Sequence, residues 1–272
     1  MSFLQPQLYS TPFDAIADRY DEIFTTSRIG QAQRTAVREE LEKAFRPGDR
    51  VLEIGCGTGV DACFLAERGV TVVACDSSPQ MIALTTRRIR QNGKHNRVLP
   101  RLLAAEDIAS LRNDECFGGA FSNFGALNCV PDLDRLARNL GALLRPGATM
   151  LLCLMGPCCL WEIIWYLTHG NPRKAFRRLQ RGEVAGHLTK QTSVGVYYRS
   201  VANLVRIFAP EFHLQSFKGI GVSVPPSYVE PWASRFPHLL RLSIRVDSVL
   251  GKCPCVRALA DHILLTFERE AL

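Results

Sequence analysis

The feature that most constrains the fold is the stretch VLEIGCGTG, Val51 to Gly59, in which a short apolar run is followed at once by three alternating glycines. The run RVLEI predicts a buried strand, and GVDACFLAERG (59–69) predicts a helix that ends at a glycine. A glycine-rich turn between a strand and a helix lets backbone N–H groups approach a ligand closely. The stretch therefore predicts an α/β fold with a ligand at its first turn.

Apolar strands and amphipathic helices alternate through the following hundred residues. The predicted strands are VTVVAC (70–75), RVLPRLLA (97–104), FGGAFSN (117–123) and ATMLLCLM (148–155), and the predicted helices are SPQMIALTTRRIRQNG (78–93) and PDLDRLARNLGALLRPG (131–147). Because the strands are apolar on both faces, they indicate a parallel sheet covered on both sides by helices. Residues 156–210 are predicted to be mainly helical, and EFHLQSFKGIGV (211–222) and HILLTFER (262–269) to be strands.

Composition places the chain among globular intracellular proteins. Of its 272 residues, 47% are hydrophobic and 22% are charged, and the first residues have no basic segment followed by an apolar run. The ten cysteines form neither paired CxxC motifs nor a Cys/His cluster at zinc-site spacing. We therefore expect small buried thiols, no metal and no secretory signal.

The residues around the glycine turn narrow the choice of ligand. Val60 stands where a dinucleotide fingerprint has its third glycine, and no phosphate-loop lysine follows. A carboxylate at Glu53 would repel a pyrophosphate but suits a ligand with a positive end. Asp76 ends the second strand, where an acid can accept hydrogen bonds from both ribose hydroxyls of an adenosine. An adenosine with a positive charge at its other end describes S-adenosylmethionine.

Three stretches, VLEIGCGTG, VVACDSSPQMI and LRPGATMLL, resemble successive signatures of the class I S-adenosylmethionine-dependent methyltransferases, most closely the type 11 group that includes ubiquinone/menaquinone C-methyltransferase-like enzymes. The resemblance covers roughly residues 13–155. It implies a seven-stranded Rossmann-like sheet of order 3-2-1-4-5-7-6 whose antiparallel last strand is HILLTFER. It also implies one domain over 1–272, an N-terminal helical cap over 1–45 and a basic, apolar helical cap over 156–210, inserted after the fifth strand.

The resemblance also implies roles for individual residues. The backbone of Gly55, Cys56 and Gly57 is expected under the methionine part of the cofactor, and Ser77 and Met81 beside the adenine. Ala104 stands where relatives commonly carry an adenine-binding aspartate, so that contact is lost or passes to Glu106 or Asp107. The full predicted cofactor set is Tyr20, Glu53, Gly55, Cys56, Gly57, Gly59, Asp76, Ser77, Met81, Ala105, Glu106, Asn123 and Phe124. For Tyr20, closure over the cofactor and packing in the core are equal alternatives.

The region after residue 155 is expected to cover the acceptor. His169 and His187 are candidates for a general base, and Tyr197 and Tyr198 for orienting the acceptor, although a packing role fits the tyrosines as well. The predicted acceptor-binding residues are Trp161, Trp165, Tyr198 and Arg199. Asn123 and Phe124 follow the fourth strand, where the reactive methyl group belongs, but they lack the proline pair of relatives that methylate amides or nucleobases.

Positive charge is concentrated in one segment, since residues 156–210 hold eight basic and two acidic side chains, while the whole chain has a net charge of +7. Within it, Arg173, Lys174, Arg177, Arg178 and Arg181 are spaced for one basic helix face, with Phe176 and Leu179 opposite. Three interpretations stay open: a solvated cap, contact with an anionic membrane or a lipid-like acceptor, and nucleic-acid binding, for which no known module is visible.

The predicted function is methyl transfer from S-adenosylmethionine to a small, hydrophobic or lipid-like acceptor. The alternatives are a tRNA or protein methyltransferase and a catalytically silent cofactor-binding subunit, against which the intact glycines, Glu53 and Asp76 argue. The expected location is cytoplasmic, with peripheral contact at the inner membrane surface through residues 160–181.

Overall fold

A computed structural model describes residues 11–94, 96–113 and 116–271, so the first ten residues of the predicted N-terminal cap lie outside the described chain. The strands are β1 (Arg50–Ile54), β2 (Thr71–Asp76), β3 (Val98–Leu102), β4 (Phe117–Ser122), β5 (Leu144–Met155), β6 (Glu183–His187), β7 (Ser193–Tyr197), β8 (Phe212–Ile220) and β9 (His262–Arg269). The α-helices are α1 (Ala17–Tyr20), α2 (Arg28–Ala44), α3 (Val60–Glu67), α4 (Pro79–Gln91), α5 (Leu133–Leu143), α6 (Leu160–Thr168), α7 (Pro172–Ala175), α8 (Val201–Phe208), α9 (Glu230–Arg235) and α10 (Pro237–Leu250).

Seven strands form the main sheet in the order β3-β2-β1-β4-β5-β9-β8. Neighbouring strands from β3 to β5 are parallel, whereas β9 runs antiparallel to both β5 and β8. Counted within this sheet alone, the order is 3-2-1-4-5-7-6, and the predicted topology is confirmed, including the antiparallel HILLTFER strand. Pro100 is accommodated because β3 lies at the edge of the sheet, where a missing donor is tolerated.

The sheet separates two apolar clusters, as the pleat requires. Successive residues of β1 divide between them: Leu52 belongs to the cluster with α5 and α8, and Val51 to the cluster with α2, α3 and α4. Gly119 shows how closely the layers approach, because a Cβ there would lie 2.4 Å from the Phe45 ring. This close packing explains a glycine within the central strand β4.

The segment between β5 and β8 differs from the expectation. The helical prediction for 156–210 holds for α6, α7 and α8 but is wrong for 183–197, where β6 and β7 pair as an antiparallel hairpin. The local sequence favours strands over a helix here, because Val184, Val194 and Val196 are β-branched. A tight turn between Leu188 and Thr192 connects the two strands.

The predicted single basic face is also wrong. Helix α7 ends at Ala175, and Arg178 turns inward to 5% exposure, while Arg173, Lys174 and Arg181 stay exposed. The cause is a pair of buried carboxylates: Glu162 accepts hydrogen bonds from Arg177 and Arg178, and Asp261 accepts one from Arg178. Across the described parts of the chain, no helix combines the length and the apolar character needed to cross a bilayer.

Candidate functional site

The glycine turn is fixed against the neighbouring strand by backbone hydrogen bonds. The N–H groups of Gly55 and Cys56 both donate to the carbonyl of Cys75, at 2.8 and 2.9 Å. Gly55 has a φ of 72°, and a Cβ at this position would lie 2.3 Å from the Cβ of Ala126. Only glycine meets both demands, so the turn keeps an open backbone surface at the carboxyl ends of β1 and β2.

Asp76 is tied to this turn through both carboxylate oxygens. Its Oδ2 accepts from Gly57 N at 2.8 Å, and its Oδ1 accepts from Ser78 N at 2.9 Å. Burial raises the pKa of Asp76, and the backbone donors partly offset that rise. Each oxygen still has a lone pair for another donor, which is what binding two ribose hydroxyls requires.

The N-terminal segment is fastened over the glycine turn. Asp21 accepts a hydrogen bond from Thr58 Oγ1 at 2.7 Å and pairs with Arg88 of α4. The adjacent Tyr20 ring lies against the turn, with its Cε1 3.9 Å from where a Cβ on Gly57 would stand. Burial raises the pKa of Tyr20, so this side chain is a neutral phenol near the turn.

A second acid, Asp61, is neutralised by two arginines of helix α2. Its oxygens accept from Arg34 and Arg38, and Asn123 Nδ2 also donates to it at 2.9 Å. Burial alone would raise the pKa of Asp61, but the two guanidinium groups outweigh burial and hold that pKa below its ordinary value. Asp61 is therefore a fixed, paired anion that orients Asn123.

Glu53 has a contrasting environment. It is 3% exposed, and its Oε2 has no hydrogen-bond partner among the described residues. The pKa of Glu53 is held well above its ordinary value, mainly by burial and next by repulsion from Asp61. Asn123 Oδ1 is likewise a buried acceptor without a partner in the described chain. Two unpartnered acceptors near the glycine turn are suited to an ammonium group, so these residues fit the positive end of S-adenosylmethionine.

Phe124 continues from Asn123 in a strained conformation. Its φ is 50°, in a region that residues with a side chain rarely adopt. The ring is held by Phe24 at 4.8 Å between centroids, by His262 at 5.6 Å and by the Arg34 guanidinium at 4.8 Å. These contacts maintain the strained backbone that turns the chain out of β4 at the site.

These residues surround a cavity of about 400 Å³. Most of the predicted cofactor residues line it: Tyr20, Gly55, Gly57, Asp76, Ser77, Met81, Ala105, Glu106, Asn123 and Phe124. Three do not. Glu53 and Cys56 are buried behind the surface, and Gly59 is the N-cap of helix α3. The sheet order therefore brings the glycine turn and Asp76 together in the wall of one cavity.

Comparison with known proteins agrees with this geometry. Residues 51–147 match a family model described as a methyltransferase domain. The chain therefore has the class I methyltransferase fold, with a match to a methyltransferase domain over residues 51–147.

Individual methyltransferases resemble the chain over different spans. A demethylmenaquinone methyltransferase of Mycobacterium marinum is 32% identical over 151 residues, which cover 54% of this chain and 59% of the relative. The chain spans about three fifths of the length of such relatives. The CcbJ methyltransferase of Streptomyces caelestis has a TM-score of 0.61 at 19% identity, covering 96% of this chain and 99% of CcbJ. A DhpI–SAH complex has a TM-score of 0.56 at 18% identity, covering 96% and 94%.

The inserted segment forms the opposite wall of this cavity. Val194, Val196 and Tyr198 alternate along β7 and its continuation, and all three line the cavity. His187 and Arg177 line it as well. The hairpin is positioned by Asn128, whose Nδ2 donates to the carbonyls of Met155 and Tyr197, both at 2.9 Å. Two residues predicted for the acceptor region, His187 and Tyr198, therefore reach the cavity.

Two other candidates for catalysis lie elsewhere. The ring of His169 stacks on Trp165 at 4.3 Å between centroids, and its Nδ1 lies 2.7 Å from the Trp165 carbonyl. The Tyr197 hydroxyl donates to Glu183 at 2.8 Å on the opposite face of the hairpin from Val196. Neither side chain lines the cavity, because the alternation of β7 and the end of α6 direct them away.

Three predicted acceptor-binding residues serve packing instead. Trp161 Nε1 donates to the Ser223 carbonyl at 3.1 Å, and Trp165 packs against the cluster that contains Val224. Arg199 Nη2 donates to the carbonyls of Val130 and Pro131. These contacts attach the inserted segment to the core, so none of the three lines the cavity.

Sequence reasoning missed the contribution of the inserted turn and of the first helix. Arg177, predicted to lie on one basic helix face, lines the cavity, and Phe13 and Ile16 line it from the N-terminal segment. A usable signal for the paired anion existed, since Arg34 and Arg38 lie four residues apart on an otherwise apolar face of α2. Among the described residues, no cluster of His, Cys, Asp and Glu is arranged to hold a metal ion.

Proposed function

We propose that this chain transfers a methyl group from S-adenosylmethionine to a small, apolar acceptor of quinone-like, lipid-like character. The observation that carries the proposal is the shared cavity, in which the glycine turn and Asp76 face a wall of Val194, Val196 and Leu188. The names of the demethylmenaquinone methyltransferases that the chain matches support a ring-bearing acceptor.

The cofactor would supply an activated methyl group, and the protein would supply placement. Asp76 would accept the ribose hydroxyls, Asn123 Oδ1 would face the ammonium group, and Glu53 would act on that group through its charge from behind the cavity surface. Tyr20, half-buried over the turn, would exclude water from the methionine side. Holding donor and acceptor in line is a large part of catalysis for such a reaction. His187 and Tyr198 are the side chains in position to take a proton from the acceptor or to orient it.

Binding of the cofactor tests the first half of the proposal. Isothermal calorimetry should give micromolar affinity for S-adenosylmethionine and S-adenosylhomocysteine and no binding of NADH or ATP. Asp76→Ala should weaken binding by about 1.5–3 kcal/mol, the range for hydrogen bonds to a charged group. Ser110→Ala, an exposed hydroxyl outside the cavity, is the matched control and should bind normally. Preference for NADH, or unchanged affinity in Asp76→Ala, would contradict the proposal.

We further propose that the protein is cytoplasmic and meets an anionic membrane through residues 160–181. Helix α6 exposes Leu160, Ile164 and Leu167 on one face, at 40%, 49% and 46%, and the next turn exposes Phe176. Exposed basic residues follow at Arg173, Lys174 and Arg181. An apolar face beside basic side chains suits the interface of an anionic bilayer, from which a lipid-like acceptor would be drawn.

A further inference from the structure

The insert side of the cavity carries one positive charge. Arg177 is the single lysine or arginine that lines the cavity among the described residues, and its side chain is 30% exposed. The acids of the lining lie on the other side: Asp76 is the last residue of β2, and Glu106 follows β3. A guanidinium that is only partly paired beside an apolar wall needs an explanation from ligand chemistry, because desolvating its remaining donors without partners is costly.

A buried ion network holds this guanidinium by one edge only. Glu162, 1% exposed, accepts from Arg177 Nε at 2.6 Å with its Oε1 and from Arg178 Nε at 2.9 Å with its Oε2. Arg178 in turn donates to the carbonyl and the Oδ1 of Asp261, both at 2.8 Å. Asp261 directly precedes β9, so the network connects the Arg177 turn rigidly to the main sheet.

The opposite edge of Arg177 is open. Neither Nη group has a hydrogen-bond partner among the described residues, and the guanidinium lies 6.0 Å from the centre of the Tyr166 ring. Beside Arg177 in the cavity wall lies Tyr198, whose ring lies 5.5 Å from the Arg178 guanidinium. Two Nη groups on a preoriented guanidinium form a donor pair whose geometry fits an oxyanion.

We infer that Arg177 binds an anionic oxygen of the acceptor, carried either on its ring or on a carboxylate, through the guanidinium edge that Glu162 leaves open. The inference rests on the proposed methyl transfer and makes it more specific: the acceptor is a flat apolar molecule that carries one negatively charged oxygen. The apolar residues of the hairpin bind its body, and Arg177 sets its orientation toward the glycine turn.

The test uses the full chain saturated with S-adenosylhomocysteine and three probes of equal ring size. These are 2-naphthoate, which carries a carboxylate; 1-naphthol, titrated spectroscopically through its ionisation; and naphthalene, which has no oxygen. Arg177→Gln should weaken 2-naphthoate about tenfold, the lower end for a hydrogen bond to a charged group. It should raise the pKa of bound 1-naphthol by about one unit, because a nearby positive charge favours the phenolate. The larger of the two effects identifies which oxygen the site prefers.

Controls separate this result from misfolding and from a failure of the broader proposal. Arg177→Lys keeps the charge and should retain part of both effects, and Arg173→Gln removes an exposed charge outside the cavity and should change neither. Naphthalene affinity should be the same in all variants. Equal losses for all three probes, or no change for any, would overturn the role of Arg177. Absence of S-adenosylhomocysteine binding in the unmodified protein would instead refute the proposed function itself.

Discussion

Replacing Glu53 by glutamine should make the protein more stable and a poorer cofactor binder at the same time. The carboxylate is buried, its Oε2 has no partner in the described chain, and both Asp61 and Asp76 repel it. A buried charged group that lacks its partners costs about 1–3 kcal/mol or more, and Arg34 offsets part of that cost here. Glutamine keeps the shape and removes the charge, so we expect a gain of about 1–2 kcal/mol in unfolding free energy at pH 7.

The pH dependence gives this prediction a definite sign. Because the pKa of Glu53 is raised in the folded state, its proton contributes stability that is fully present below the ordinary value of about 4.3 and is lost as pH rises through the folded pKa. The advantage of Glu53→Gln should therefore grow from pH 4 towards pH 8 and vanish at the acid end.

Urea unfolding at several pH values and calorimetric titration with S-adenosylmethionine measure the two effects. Glu67→Gln, an exposed acid at the end of α3, is the matched control and should change neither quantity measurably. The reasoning fails if Glu53→Gln is less stable than the parent protein at pH 7. It also fails if the variant binds S-adenosylmethionine as tightly as the parent, since Glu53 would then have no role towards the cationic end.

Two further predictions concern the inserted segment. Arg178→Met should lower the unfolding free energy by about 3 kcal/mol, because it leaves Glu162 and Asp261 as buried, poorly paired carboxylates. The control Arg173→Met, at an exposed side chain, should change the unfolding free energy by no more than about 0.5 kcal/mol. Equal urea midpoints for the two variants would contradict this prediction. Vesicles with anionic lipid should sediment the protein and neutral vesicles should not. Leu167→Gln should weaken that attachment, while Leu242→Gln, at a leucine of α10 that is 56% exposed against 46% for Leu167, should leave it intact. Equal losses would place the contact elsewhere.

The sheet and the cofactor side of the site could be predicted from the sequence, for a physical reason. Strand-and-helix alternation and the glycine turn are local signals, and parallel sheets bring the ends of successive strands to one edge. Asp76 and Gly57 are nineteen residues apart, yet their hydrogen bond follows from β1 and β2 being neighbours. Once the order of strands was correct, most of the lining could be named.

The acceptor side of the site could not be predicted from the sequence in the same way. The valines of residues 183–197 favour strands locally, but the position of the hairpin against the cavity depends on contacts with the loop after β4, such as the hydrogen bond from Asn128 to the Tyr197 carbonyl. The direction of Arg177 and Arg178 depends on Glu162 and on Asp261, the latter more than eighty residues away in sequence. A helical-wheel projection of residues 173–181 treats all five basic side chains as solvated, because it includes neither Glu162 nor Asp261.

The distribution of charge along the cavity connects the two halves of the site. On the cofactor side, the α2 arginines neutralise Asp61 and leave Glu53 without a full counterion, so that side favours a cation. On the insert side, Glu162 takes only one edge of Arg177, so that side favours an anion. If the acceptor is anionic as proposed, it and the cationic methyl donor would each be repelled from the other's position, because like charges would meet in a poorly solvated space. Charge alone can therefore direct each of the two ligands to its own side of the cavity. Reversing the charge on either side should disturb the binding of both ligands.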